Sequence, residues 1–160
     1  MSVTANVNLL VNVDETFNTD ALVNQILTHA GYNATGLTLN GDSTPPVTKV
    51  SAQDYALSSG TKTIDLTALL GVNDLVQDCT GLKLQLLVFI NAAGNADMTI
   101  SGEGADGYSL GAAHVVNGST IATRTIMYLP EALADVSSSV KNLVVTGTGS
   151  QTFKLLLLLG

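Results

Sequence analysis

The chain has 160 residues, a length that suits one domain or one domain with an extension. Hydrophobic residues make up 46% and charged residues only 12%, which excludes disorder and leaves the surface to Thr, Ser, Asn and Gly. The net charge is -7 and the six basic residues stand singly, so no basic patch is offered to a nucleic acid or an anionic membrane surface.

In chain order, residues 3 to 13 alternate. Val3, Ala5, Val7, Leu9, Val11 and Val13 share one face, which predicts a half-buried strand. The opening MSVTANVN has no basic or apolar segment of the secretory kind, and no signal is expected. The period then changes. Leu22, Val23, Ile26, Leu27 and Ala30 form a helical stripe, Asn18 or Thr19 can cap it, and Gly31 can end it. This predicts one short N-terminal helix. Asn40-Gly41-Asp42 is a hairpin signal, and Ser43-Thr44-Pro45-Pro46 predicts a linker or exposed loop. Residues 1–46 are therefore expected to form an arm or sub-domain of strand, helix and hairpin, and 47–160 a separate β domain.

From Val47 the chain reads as short strands and turns. Lys62 to Leu66 comes after the turn Ser58-Ser59-Gly60. The strongest strand spans Leu82 to Ile90, with Leu82, Leu84, Leu86, Val88 and Ile90 expected on one face and Leu87 and Phe89 on the other. Asn117-Gly118 predicts a hairpin between Val115-Val116 and the strand Ile121 to Leu129. Val140 to Val145 and Thr152 to Leu159 close the chain. Turn signals at intervals of roughly 8 to 12 residues, without strand–helix alternation, predict a mainly β antiparallel sandwich or barrel.

The last strand carries five consecutive leucines. The run is far shorter than the roughly 20 apolar residues of a membrane-spanning helix. Phe153, Leu155, Leu157 and Leu159 are expected to face the core. Leu156 and Leu158 face the other way and need a cover, either the N-terminal helix or another subunit.

Chemistry is sparse. His29 is expected near the helix C-terminus and His114 in a loop, without metal-ligand spacing. Glu103 and Asp106 in a Gly-rich loop supply two carboxylates, few for a calcium ion that takes six to eight oxygens, and read as a solvated acidic loop. The single cysteine, Cys79, reads as a buried or loop thiol. No catalytic residue, cofactor or metal is expected, and the chain reads as a non-enzyme.

Three stretches together resemble small β-rich structural proteins of tailed bacteriophages: LSSGTKTIDLTALLG at 57–71, TGLKLQLLVFINAAGNADMTI at 80–100 and VVTGTGSQTFKLLLLLG at 144–160. The resemblance covers about residues 55–160 and rests on architectural rather than catalytic motifs. It implies a jelly-roll-like capsid decoration (cement) or fibre protein, often a homotrimer, placed in the virion after assembly in the bacterial host cytoplasm. Its expected partners are copies of itself and a phage major capsid or other virion protein, with no nucleic acid and no membrane. The candidate interface residues are Leu87, Phe89, Met127, Tyr128, Leu156 and Leu158, with Leu22 and Ile26 on the helix as an attachment element. The other reading is a carbohydrate- or receptor-binding module of a phage fibre or tail, for which Tyr108 beside Glu103 and Asp106 is the best aromatic cluster.

Overall fold

The computed structural model describes residues 4–17, 25–71, 74–102, 104–129 and 133–160, with backbone alone over 5–17 and 25–38. Its first two strands, β1 (Thr4–Phe17) and β2 (Gln25–Asn40), form a two-stranded antiparallel ribbon. The ribbon corrects the expected helix. Ile26, Leu27, His29 and Ala30 lie in β2, with Ile26 paired to Thr16 and His29 to Val13, while Leu22 and Val23 lie outside the described residues. A helical stripe of five residues loses to a long partner strand that satisfies every other backbone group. Gly31, read as a helix stop, has a different use. Both register shifts of the ribbon set two β2 residues against one β1 residue, Ala30-Gly31 against Asn12 and Thr35-Gly36 against Asn8. Glycine inside a strand commonly marks such a bulge.

The rest is a β-sandwich. Its strands are β3 (Lys49–Ala56), β4 (Thr61–Asp65), the short pair β5 (Leu69–Leu70) and β6 (Val76–Gln77), then β7 (Leu84–Asn91), β8 (Met98–Ser101), β9 (His114–Val116), β10 (Thr123–Tyr128), β11 (Asn142–Thr146) and β12 (Thr152–Leu159). A front sheet has the order β10-β7-β12-β3 and a back sheet the order β4-β11-β8-β9, with every pair antiparallel. Successive sandwich strands mostly change sheet. Among the described strands of the two four-stranded sheets, only β8 and β9 are neighbours both in sequence and in one sheet. Asn117-Gly118 is accordingly not a hairpin, because β9 and β10 belong to different sheets. Gly118 is needed for a close approach instead: a Cβ there would collide with the Asn95 carbonyl oxygen.

The core lies between the sheets. The front sheet contributes Leu87, Phe89, Met127, Phe153, Leu155 and Leu157, and the back sheet Ile64, Met98, Ile100, Leu143 and Val145. Phe153 stacks between Phe89 and Tyr55, with ring centroids 5.0 and 5.5 Å away. Tyr108 ties the layers together. Its backbone N–H donates to Asn142 of the back sheet, and its hydroxyl accepts the N–H of Leu84 in the front sheet at 3.0 Å.

Candidate interaction surface

The outer face of the front sheet is built by one local irregularity. Along β12 the residues pair with β7 in step until Leu158 meets Leu86, and then Leu159 meets Leu84. Gln85 is the extra residue. A strand alternates sides with period two, so one inserted residue reverses the parity of the residues beyond it. Leu84 faces the core, and so do Leu87 and Phe89, whereas Leu86, Val88 and Ile90 face outward. Gln85 is itself buried, and its Nε2 donates to the Pro46 carbonyl at 2.8 Å, which satisfies the amide and holds the bulge.

The cross-strand registers then set three rows on the outer face. The first is Tyr128, Leu86, Leu158 and Val50; the second Ile126, Val88, Leu156 and Ala52; the third Arg124, Ile90, Lys154 and Asp54. The first row is partly covered within the chain. Leu39, at the base of the ribbon, and Val47 pack on Leu86 and Leu158, and all four are buried. Beyond it the cover stops. Leu156 and Val88 are half-buried, Ile126 is 57% exposed and Tyr128 43%. The third row ends the patch with an ion pair, Lys154 Nζ lying 3.0 and 2.9 Å from the two Asp54 carboxylate oxygens. Two shallow grooves of about 340 and 330 Å³ flank that pair, one beside Tyr55, Ala92 and Phe153, the other over Val88, Ile90 and Leu156.

The expected interface residues are thus divided. Leu87 and Phe89 are fully buried and Met127 is 9% exposed, all three in the sandwich core, so they offer nothing to a partner. The Gln85 bulge is the reason: it turns inward the face that plain alternation turns outward. Leu158 has its cover in the chain's own Leu39 and Val47. Tyr128 and Leu156 do lie together on the outer face, one row apart. Leu22 lies outside the described residues, and Ile26 is at a ribbon register position. Sequence reasoning misses Val88, Ile90 and Ile126. The signal for the first two is Gln85, a polar residue interrupting an otherwise continuous apolar run.

The polar candidates do not converge. Tyr108 is fully buried and anchored to Leu84, so it cannot serve as a sugar platform. Glu103 lies outside the described residues, and Asp106 is exposed on a turn whose carbonyl accepts from Lys141 and Asn142. His114 sits in β9 opposite Ile100 rather than in a loop. Among the described residues no three His, Cys, Asp or Glu side chains gather to hold a metal. Burial pushes the Cys79 thiol up to about 11, which makes the thiolate scarce at neutral pH. No helix among the described residues is long and apolar enough to cross a membrane. Comparison with known proteins finds no matching family model, curated protein or solved structure.

Proposed function

We propose that the chain is a non-enzymatic virion structural protein, a capsid decoration or cement protein that self-associates and stabilises a phage particle. The observation that carries the reading is the apolar outer face of the front sheet, where Leu156, Val88 and Ile126 form a row only partly sheltered by the chain itself. Burying such a row is favourable by roughly 25 cal/mol per Å² of apolar area. A subunit that binds only the assembled state stabilises it by mass action.

Two further features support the reading. Counted along the sandwich without the β5–β6 pair, the first strand pairs with the last (β3–β12), the second with the seventh (β4–β11), the third with the sixth (β7–β10) and the fourth with the fifth (β8–β9). That nesting is what a folded-over eight-strand ribbon produces, and we read the sandwich as a jelly roll, an architecture shared by viral capsid domains. The β1–β2 ribbon, paired with no third strand among the described residues, suits an arm that reaches a major capsid or other virion protein. Two-stranded ribbons are marginal in water alone and gain from such a contact.

The test is native mass by light scattering across a concentration series, beside Leu156→Lys. Association that the variant disperses supports the reading; a monomer of 16.5 kDa throughout removes it. Mass spectrometry of particles purified from an induced lysate of the host that carries the gene tests the virion placement. The chain is expected in the particle fraction, and its absence there sinks the assignment. The groove beside Tyr55, Asp54 and Lys154 favours a second reading, a carbohydrate- or receptor-binding module of a fibre or tail. A glycan-array signal lost in Asp54→Ala would move the assignment there.

A further inference from the structure

We propose that the open edge of β10 is a self-complementary docking surface for the same edge of a second copy of this chain, the two strands running antiparallel about a two-fold axis at Ile126.

The two edges of the front sheet differ. At the β3 edge, Gln77 Nε2 donates to the Val50 carbonyl at 2.7 Å and Gln53 Nε2 donates to Gly71 at 3.0 Å, so the β5–β6 flap covers that strand. The β10 edge has no such cover among the described residues. Its parity is fixed by one bond. Leu129 N–H donates to the Gln85 carbonyl at 2.8 Å, which continues the β10–β7 register by one pair. Hydrogen-bonded pairs alternate in an antiparallel ladder. Met127, Thr125 and Thr123 therefore bond to β7, and Arg124, Ile126 and Tyr128 turn their N–H and C=O groups to the open side. Edges of this kind pair with other chains unless they are blunted, and here Ile126 and Tyr128 stand exposed on it.

The partner is specified by the sequence Arg124-Thr125-Ile126-Met127-Tyr128. An antiparallel copy centred on Ile126 sets Ile126 against the partner's Ile126, Arg124 against the partner's Tyr128, and Tyr128 against the partner's Arg124. All three pairs use outward-facing backbone groups, and each exchanges two hydrogen bonds. The guanidinium meets a tyrosine ring twice, a favourable cation–π geometry. Centring on Thr125 instead leaves two such pairs and sets Arg124 against an isoleucine. The Ile126-centred register also joins the row Ala52, Leu156, Val88 and Ile126 to its copy, giving one apolar band across eight strands. Pairing through a six-residue edge strand buries little surface, so the dimer is expected to be concentration-dependent.

The pairing rests on the self-association reading above, and the test separates the two. In Ile126→Cys the paired Cα atoms would lie about 5.5 Å apart, within disulfide range. Cys79 is fully buried and does not compete. Oxidised Ile126→Cys is expected to run as a covalent dimer on a non-reducing gel, whereas Ile121→Cys, at a position 71% exposed, stays monomeric. Equal cross-linking of both variants overturns the proposal. Tyr128→Lys sets a like charge against the partner's Arg124 and is expected to weaken dimerisation about tenfold in sedimentation equilibrium. Adding Arg124→Glu restores it, which a folding defect would not allow. If the chain associates but Ile126→Cys fails to cross-link and Tyr128→Lys changes nothing, edge pairing is wrong and self-association through the face stands. A chain that is monomeric at every concentration overturns both.

Discussion

The two sheets of the sandwich present the same kind of inner face and opposite kinds of outer face. Behind the core, the outer rows of the back sheet are Thr63, Val144 and Ser101, then Thr61, Thr146, Thr99 and Val115. Threonine suits a strand and tolerates water, and a threonine-rich outer face is an ordinary solvated one. The first two outer rows of the front sheet are mostly Leu, Val and Ile, and charge enters only in the third. Since the inner rows already supply the core, the front outer face adds nothing to the packing between the sheets. Under the proposed function, the difference puts association on the front face and leaves the back face to solvent.

The largest effect should separate neighbours on one strand. Leu157 is fully buried and Leu156 half-buried on the opposite side. Leu157→Lys places a charge in the core and is expected to remove the whole folding free energy, about 5–15 kcal/mol for a domain, leaving unfolded or insoluble protein. Leu156→Lys should cost no more than about 1–2 kcal/mol in denaturant titrations while dispersing association through the outer face. Equal damage from the two would end the distinction between inner and outer face.

Next comes the link between the sheets. Tyr108→Phe leaves the buried Leu84 N–H without its acceptor and is expected to cost about 1–3 kcal/mol, read from the shift in urea midpoint. A smaller contribution comes from the back-sheet edge. Burial pushes the Asp65 carboxyl up, but the Thr67 hydroxyl and N–H, at 2.6 and 2.8 Å, and Lys141, at 3.1 Å, outweigh it and hold its pKa below the ordinary value. A lowered carboxylate pKa contributes stability above the unfolded-state value and loses it as pH falls through the folded value. Asp65→Ala should therefore cost about 1 kcal/mol at pH 7, mainly through loss of the cap on the 3-10 turn at Leu66–Ala68, and the gap should narrow as pH falls below about 4. Smallest of all, Thr63→Lys on the back face should stay within about 0.5 kcal/mol of the parent and leave association untouched. An oligomer lost in Thr63→Lys and kept in Leu156→Lys would reverse the roles of the two faces.

Much of this is legible in the sequence. Turn spacing indicates a sandwich, and alternation places Phe153, Leu155, Leu157 and Leu159 in its core correctly, because β12 runs without interruption from turn to end. The same alternation misassigns the faces of β7, because it assumes an unbroken strand and a bulge at Gln85 has no signature beyond one polar residue. The N-terminal stripe suggests a helix because periodicity over five apolar residues is short, whereas the ladder between β1 and β2 depends on a partner that local pattern does not name. Pairing is the least legible feature. Asn117-Gly118 marks a reversal of direction, and nothing in the dipeptide says whether the reversal stays in one sheet or passes to the other. The β10 edge is equally hidden, since its openness is a property of sheet order.

The position of β12 also governs how the chain can fold. It lies between β7 and β3, and Lys154 reaches Asp54 across 100 residues of sequence. Until β12 docks, the front sheet has a gap in its middle and β3 has no neighbour in it. The front sheet therefore cannot close before β12 is available. Closure must wait for a segment 100 residues beyond its partner on β3, and its loop entropy is spent before most long-range contacts reward it, which places folding in the millisecond-to-second regime of non-local β topologies. A nascent chain held before that point exposes an unfilled slot shaped for one strand, and the apolar strand of another chain is the obvious intruder.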